Sequence, residues 1–276
     1  MEHHKASGLR VAMSDTPWTF RMGVYKPYKA HRKDVRKPLG LQRIRQHLYD
    51  KHGATFQPGL EADDLMGLWM TDRYAENGII VSWDKDMRAV PGRFWVPGTD
   101  DVEVRDELAA NVMWFAQALS GDQADGYPGC KNVGVVRAKR IVEEMAERSL
   151  KELGTNRVFE QHELFLWEVV LKEFLKKGHT KEEALVSARL ARILRHGDYN
   201  LTSKEVRLWT PGEARSSWPS IPMRQGPVKA RARKSSNTSR EKRATPWTFS
   251  ASPSRSVVRR VRSSPRAGAK RRSVST

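Results

Sequence analysis

The first half of the chain alternates short apolar runs with longer amphipathic stretches. Three apolar runs predict buried strands, at residues 9–13, 79–83 and 94–96. Three amphipathic stretches predict helices, at residues 38–52, 61–74 and 103–119. Because strands that alternate with helices usually form a parallel sheet with crossover helices, the pattern predicts an α/β fold.

The second half has helical periodicity, which predicts three helices at residues 135–150, 161–177 and 180–195. The last begins with Thr180 and Glu183, at the spacing of a capping box. From Gly212 the composition changes to Ser, Arg, Lys, Pro and Ala, which cannot bury enough apolar surface to offset the entropy of ordering. The predicted organisation is a core at 1–120 with a basic, aromatic segment at 21–53, a helical module at 121–211 and a disordered tail at 212–276.

The formal net charge of +18 is concentrated in the tail. Residues 212–276 contain 17 Lys and Arg against two Glu, whereas residues 1–211 contain 33 against 30 Asp and Glu. A uniformly basic fold would be typical of a passive polyanion binder. A nearly neutral body instead indicates a domain whose acidic residues have their own function, with the tail as a nonspecific tether for nucleic acid.

Cysteine usage and hydropathy bear on the compartment. Cys130 is the only cysteine, which excludes an intrachain disulfide and fits a reducing environment. No apolar run approaches the roughly 20 residues of a membrane span, and the first residues lack the apolar stretch of a signal peptide. We therefore expect a cytoplasmic protein that has no membrane partner.

Acidic residues lie at the ends of the predicted elements. They are Asp15, Glu61, Asp63, Asp64, Asp84, Asp86, Asp122 and Asp125. Since ligands bind where strand ends and the adjoining loops meet along one edge of a sheet, we expect these side chains to lie together. Such a cluster is repulsive unless cations neutralise it, and oxygen ligands suit Mg²⁺, Mn²⁺ or Ca²⁺ rather than zinc. Two such ions, about 4 Å apart, commonly hydrolyse a phosphodiester.

Each acidic group has a simpler interpretation when taken alone. Glu61 and its neighbours could favour a helix N-terminus electrostatically. Asp84, Asp86 and Asp122 could be ordinary loop residues. Their joint occurrence on successive elements favours the metal site.

Three motifs together resemble the signature of flap endonucleases and 5′→3′ exonucleases. They are EADD at 61–64, SWDKD at 82–86 and GDQADGYPG at 121–129. Two further stretches are most similar to the bacteriophage T7-type exonucleases, YKAHRKDVRKPLG at 28–40 and LARILRHGDYNLTSKEVRLWTP at 190–211. The resemblance implies a parallel-sheet, PIN-like nuclease core followed by a helix–hairpin–helix module. It also implies a metal-dependent 5′→3′ exodeoxyribonuclease, with flap endonuclease activity as a further expectation.

The resemblance implies roles for particular residues. The eight carboxylates would be direct or water-mediated ligands of two Mg²⁺ ions, for which Mn²⁺ can substitute. Lys29 and Arg32 would be catalytic, holding and polarising the scissile phosphate, and Tyr28 would stack on the terminal base. The plainer alternative for this segment is a solvated basic loop.

A second set of residues would bind the DNA backbone. The glycines of the 129–134 loop let the chain approach a phosphate, and the amides that open the next helix point towards it. In relatives this loop also holds a monovalent cation, so K⁺ is a candidate; the alternative is a structural helix pair without a ligand. The DNA contacts would come from Lys33, Arg36, Lys37, Gly129, Lys131, Gly134, Arg137, Lys139 and Arg140.

The expected partners are duplex DNA with a 5′ end or flap and phage replication or recombination proteins, in the cytoplasm of a bacterial host. No small-molecule cofactor is expected. One family feature is not found: relatives begin with a strand that carries Asp-Gly, whose Asp is a central metal ligand. We expect that the true start lies upstream, that another polypeptide supplies the strand, or that the enzyme has decayed.

Two other functions therefore stay open. One is a non-catalytic protein that binds DNA ends or junctions, in which the missing ligand has silenced the chemistry. The other is a nonspecific nucleic-acid-condensing protein that acts through its tail. Catalysis requires the carboxylates, binding requires the 28–37 and 129–140 segments, and condensation requires only the tail.

Overall fold

The computed structural model describes residues 6–14, 18–32, 34–153, 159–213 and 217–222. Seven α-helices lie in these ranges: α1 Phe20–Val24, α2 Leu41–His52, α3 Ala62–Met70, α4 Glu107–Ser120, α5 Val135–Leu153, α6 Phe159–Lys176 and α7 Lys181–Ala191. Two 3₁₀ helices accompany them, Ala30–Arg32 and Lys85–Ala89. None of the described helices is both long and apolar enough to span a lipid bilayer.

The helices confirm most of the predicted periodicity. Gly53, with a φ of 59°, ends α2 where the sequence predicts the end. Thr180 and Glu183 form the predicted capping box at the start of α7. The start of α4 was predicted too early, because Asp106 caps the helix by accepting a hydrogen bond from the amide of Ala109 at 2.7 Å.

Six short strands form two three-stranded sheets in the described ranges. They are β1 Ile80–Val81, β2 Gly92–Trp95, β3 Glu103–Arg105, β4 Tyr199–Asn200, β5 Glu205–Arg207 and β6 Ser220–Pro222. In the first sheet β1 pairs parallel to β2, with Ile80 opposite Phe94, and β2 pairs antiparallel to β3. The second sheet is antiparallel and was not predicted.

The fold is therefore α/β, and β1 and β2 pair in parallel as predicted, but the antiparallel β3 makes the first sheet mixed rather than parallel. The predicted strand at 9–13 is reduced to one parallel bridge between Ala12 and Thr55. Residues 103–105, predicted as helix, instead form β3. They pair antiparallel to residues 92–94 of β2, and the carboxylate of Glu103 also binds Arg88 and Arg105.

An aromatic cluster forms the centre of the helical packing. Trp114 of α4 meets Trp209 edge to face, with ring centroids 4.9 Å apart, and Trp167 of α6 meets Trp209 at 5.2 Å. The indole nitrogens have partners as well, since Trp114 donates to the carbonyl of Ala188 and Trp209 to the carboxylate of Glu163. One core thus joins α4 to the helices that follow it, and the predicted domain boundary at 120/121 passes through this core.

The predicted start of the disordered tail at Gly212 was too early. Trp218 is buried and joins the aromatic core, and β6 pairs with β5 through Ile221 and Val206. The average composition of the tail is polar, and for this reason it does not show that apolar side chains near the start of the tail are packed against the rest of the protein. Residues 223–276 lie outside the described ranges.

Candidate metal centre and nucleic-acid interface

Asp84 and Asp86 lie in the turn that follows β1. Asp84 is exposed and caps the next 3₁₀ helix, its Oδ1 accepting a hydrogen bond from the amide of Asp86 at 2.9 Å. Oδ2 of Asp86 accepts a hydrogen bond from the side-chain amide of Gln117 at 2.8 Å. Burial, together with the carboxylates of Asp84 and Asp122, raises the pKa of Asp86 to about 6, while Lys85 opposes the shift.

Asp63 faces the same group from the first turn of α3. Burial, and after it the carboxylates of Asp64, Asp84 and Glu61, together raise its pKa to about 7, while Arg21 opposes the shift. The structure thus brings acids from three separate segments close enough to perturb one another. We call the group formed by Asp63, Asp84, Asp86 and Asp122 the carboxylate region.

The chemistry of this region fits a hard divalent cation. Its donors are carboxylate oxygens, and a cation would offset both the burial and the mutual repulsion that raise the pKa values of Asp63 and Asp86. Within the part of the chain that the structure describes, no three His, Cys, Asp or Glu side chains form a ready-made metal cage. Asp15 lies outside the described residues.

Asp64 has a different environment from the one the sequence suggested. Its side chain is fully buried, and it accepts two hydrogen bonds from the guanidinium of Arg21, at 2.7 and 2.8 Å. The amide of Glu61 donates to one oxygen at 3.1 Å, and the amide of Leu194 to the other at 3.3 Å. Because both oxygens are already occupied, Asp64 is an anchor between α1, α3 and the end of α7 rather than an open ligand.

Asp122 and Asp125 are carried by a loop that two glycines close. Gly121 and Gly129 have φ values of 70° and 63°. A Cβ on Gly121 would lie 2.4 Å from the amide nitrogen of Gly129, and a Cβ on Gly129 would lie 2.2 Å from that of Gly121. No other residue fits at either position, so the stem of the loop requires both glycines. Oδ1 of Asp122 then accepts hydrogen bonds from the amides of Ala124 and Asp125.

The basic segment docks on this loop. Lys29 has a φ of 52°, in the left-handed region, and its amide donates to the carbonyl of Asp125 at 2.8 Å, which holds it there. Its ammonium binds the carboxylates of Glu61 and Asp125. Arg32 binds the same Asp125 carboxylate at 3.0 Å. Both predicted phosphate-binding cations are therefore held by acids beside the carboxylate region.

The position of Tyr28 does not fit the expectation that its ring stacks on the terminal base. Its ring is only 2% exposed and packs in the aromatic core, so it has no free face on which a base can stack. The hydroxyl instead lies 2.9 Å from Glu61 and 2.8 Å from Asp125. Burial raises the pKa of Tyr28 above its usual range, which keeps the hydroxyl as a hydrogen-bond donor to these acids.

Several of the predicted backbone-binding residues lie at the start of α5, in its first turns or in the loop before it. A cleft of about 410 Å³ extends from Asp86 and Asp122 to Gly134 and Lys139, so the start of α5 opens onto the carboxylate region. The side chains of Arg36, Lys37, Lys131, Arg137, Lys139 and Arg140 are exposed. Lys33 lies outside the described residues. The assignment of all these cations to DNA stays a prediction.

His179 holds the 129–134 loop and was not singled out from the sequence. Its Nε2 accepts a hydrogen bond from the amide of Lys131 at 3.1 Å, and its Nδ1 lies 3.5 Å from the Glu183 carboxylate. Its ring packs edge to face on Phe174. The loop includes Asn132 in the left-handed conformation, which such a contact helps to maintain.

We expect His179→Ala to weaken the binding of DNA about fivefold, the value of one hydrogen bond of about 1 kcal/mol. Turnover at saturating DNA should stay unchanged, since the carboxylates are untouched. His179→Gln, whose amide oxygen reaches the position of Nε2, should restore most of the affinity. Equal losses in both variants, measured by fluorescence anisotropy with a short duplex, would contradict a role for this hydrogen bond.

Arg21, Gln117 and His179 were all missed as site residues. Arg21 lies within the basic segment. The acidic residues in the first turn of α3 indicated that a cationic side chain would have to lie beside them if they were buried. Gln117 falls on the predicted helix before the GDQADGYPG motif, without a distinguishing signal. For His179 there was only its position between two helices.

Comparison with known proteins adds independent findings. A family model described as the N-terminal resolvase-like domain of 5′-3′ exonucleases matches residues 1–97. The exonuclease of Escherichia phage T7 is 30% identical over 203 residues, which cover 67% of this chain and 67% of the relative. The exodeoxyribonuclease of Enterobacteria phage T3 matches with the same identity and coverage.

A solved structure of the T5 5′-exonuclease with bound zinc superposes with a TM-score of 0.42 and 14% sequence identity. The superposition covers 70% of this chain and 86% of the T5 chain. A superposition as loose as this supports no inference about the present site.

Proposed function

Because the chain belongs to the 5′→3′ exonuclease family, we propose that it hydrolyses phosphodiester bonds at the 5′ ends of DNA in a reaction that requires divalent metal ions. The observation that carries the proposal is the carboxylate region. Acids from α3, from the turn after β1 and from the 121–129 loop perturb one another there, and Asp63 and Asp86 have raised pKa values. A protein that only bound DNA would have no use for acids beside a polyanion.

The residues that would hold the metal are Asp63, Asp84, Asp86 and Asp122. We propose two Mg²⁺ ions, for which Mn²⁺ can substitute. When bound, the ions supply an activated water and stabilise the charge that develops on the phosphate. Glu61, Asp64 and Asp125 would support the site from outside, since their oxygens are bound to Arg21, Lys29, Arg32 and Tyr28.

Lys29 and Arg32 would bind the scissile phosphate. In the described structure their partners are acids, and these contacts keep the two cations beside the carboxylate region. A phosphate that enters competes with Asp125 for them, and a guanidinium or ammonium donates equally well to a phosphate oxygen. We expect the two side chains to stabilise the negative charge as the bond breaks.

The start of α5 and the loop before it would bind the DNA backbone. The amides of the first turn point out of the helix N-terminus, where anions bind. Lys131, Lys139 and Arg140 add contacts that do not depend on sequence. A K⁺ ion in the 129–134 loop and the tail as a nonspecific tether belong to the same proposal. Cleavage of flaps and preference for DNA over RNA–DNA hybrid are its finer points.

The silenced DNA-binding protein is a weaker candidate. The relatives that share 30% identity with this chain are described as an exonuclease and an exodeoxyribonuclease. All carboxylates of the motifs are also present in the chain. A protein that only bound DNA would gain nothing from so many acids in one place, so their presence favours an active enzyme.

We expect the protein to release labelled nucleotides from duplex DNA labelled at the 5′ end, in Mg²⁺ and not in excess chelator. Duplex labelled at the 3′ end should lose its label only late, because degradation starts at the other end. Asp84→Ala should abolish release while binding to DNA is retained. Tight binding without release by the unmodified protein would instead support the non-catalytic alternative.

A further inference from the structure

Trp83 differs from the other tryptophans that the structure describes. Its side chain is 79% exposed, whereas Trp114 and Trp209 are 1% exposed and the remaining five described tryptophans are buried or half-buried. Single exposed apolar side chains are common on protein surfaces, so exposure alone decides nothing. The position of this ring, in the turn that leads to Asp84, is more informative than its exposure.

The backbone on both sides of Trp83 is fixed. The amide of Ser82 donates to the carbonyl of Trp95 at 3.2 Å, which attaches the residue to β2. The hydroxyl of Ser82 accepts a hydrogen bond from the amide of Asp84 at 3.0 Å. Asp84 in turn caps the next 3₁₀ helix. The indole is therefore presented from a turn whose backbone is already ordered, so binding to it does not have to order the loop.

Trp83 also adjoins the carboxylate region. It directly precedes Asp84, and consecutive Cα atoms are about 3.8 Å apart. Anionic groups would be repelled there by the acids, but a nucleobase presents a neutral π-face that stacks well on an indole. Lys85, on the other side of Asp84, is an exposed cation that can meet a neighbouring phosphate.

We propose that Trp83 stacks on an unpaired nucleobase of the substrate strand beside the cleaved phosphate, and so favours ends that are unpaired or frayed. The inference rests on the proposed exonuclease function and adds a determinant of substrate choice. A base fits better than a protein partner, because the apolar surface here is one ring with Val81 two residues away, far below the roughly 1,000 Å² of a stable protein interface.

The test combines changes in the protein with changes in the DNA. The substrates carry a short 5′ overhang, either intact or with an abasic nucleotide at one of its first three positions. Binding is measured by fluorescence anisotropy in Ca²⁺, and cleavage is measured separately in Mg²⁺. The variants are Trp83→Ala, Trp83→Phe and, as a control for a lost exposed apolar side chain on the same sheet, Val104→Ala, which removes a side chain that is 77% exposed.

We expect Trp83→Ala to weaken binding of the intact overhang roughly 5- to 150-fold, the range for loss of one stacked base. At one abasic position the unmodified protein and Trp83→Ala should bind equally, because the base that stacks is gone. Trp83→Phe should retain most of the affinity, and Val104→Ala should bind like the unmodified protein.

Two results would overturn the inference. One is an equal loss for Trp83→Ala on every substrate, and the other is no loss on any. If either result is obtained while the unmodified protein cleaves DNA, the stacking role of Trp83 is contradicted and the proposed function is not. If the unmodified protein neither binds nor cleaves DNA, the proposed function fails together with it.

Discussion

Asp63→Asn is expected to lose DNA cleavage and, in the absence of metal, to gain stability. Asp63 is half-buried among other acids, so its ionised form is unfavourable in the folded protein. Asparagine keeps the shape and removes the charge. Cleavage should fall more than about a hundredfold, since even the outer-shell partners of metal ligands are worth 10- to 100-fold.

The gain in stability should depend on pH in a defined direction. The pKa of Asp63 is about 7 in the folded protein and about 4 in an unfolded chain. The folded state therefore binds this proton more tightly, and ionisation of Asp63 destabilises the protein progressively as pH rises from about 4 to about 7. The free energy of unfolding of Asp63→Asn should match that of the unmodified protein below this window and exceed it by about 4 kcal/mol above it, since each unit of pKa difference corresponds to about 1.4 kcal/mol.

Urea unfolding at several pH values, with chelator and with Mg²⁺, measures both effects. Mg²⁺ should stabilise the unmodified protein more than the variant. The higher free energy of unfolding of the variant should therefore disappear when Mg²⁺ is present. Asp101→Asn, at an exposed position, is the matched control and should change neither stability nor cleavage. A variant that is less stable than the unmodified protein at pH 8 without metal would contradict the crowding of carboxylates around Asp63.

The helices could be predicted because they are local. Residues such as Gly53, Thr180 and Glu183 define helix ends within a few positions of the chain, and an apolar stripe needs only a helical period. The strands were predicted less accurately than the helices. β1 and β4 have two residues each, which is too short for an alternating pattern to be recognised, and the pairing of β1 with Phe94 and of β5 with Ile221 joins residues that are not neighbours in the sequence.

The candidate site shows the same limit. The acids were recognised because they follow strands or open helices, but a carboxylate motif does not show which oxygens are already occupied. Asp64 and Glu61 lie within two residues of Asp63 in sequence, yet they are bound to Arg21, which is some 40 residues away. Tyr28 likewise belongs to a basic, aromatic segment, but tertiary packing buries its ring. Trp83 shows the opposite case, since an apolar run predicts burial and the ring is exposed.

Arg21→Met should be among the most destabilising changes in the chain. The guanidinium is buried and links three helices, because it binds Asp64 and Glu61 at the start of α3 and the carbonyls of Leu190 and Arg192 at the end of α7. Its removal leaves the carboxyl group of Asp64 fully buried and without its cationic partner. Such losses typically reduce the free energy of unfolding by about 3–5 kcal/mol.

A double-mutant cycle separates the ion pair from the loss of packing. If Arg21 and Asp64 stabilise each other, Arg21→Met combined with Asp64→Ala should be less destabilised than the sum of the single variants, by roughly 0.5–3 kcal/mol. Arg88→Met is the matched control, since its partner Glu103 lies at a partly exposed site and such pairs contribute less than about 1 kcal/mol. Midpoints of urea unfolding give both values. Equal losses for Arg21→Met and Arg88→Met, or strictly additive single variants, would mean that the three helices are held by apolar packing and not by this arginine.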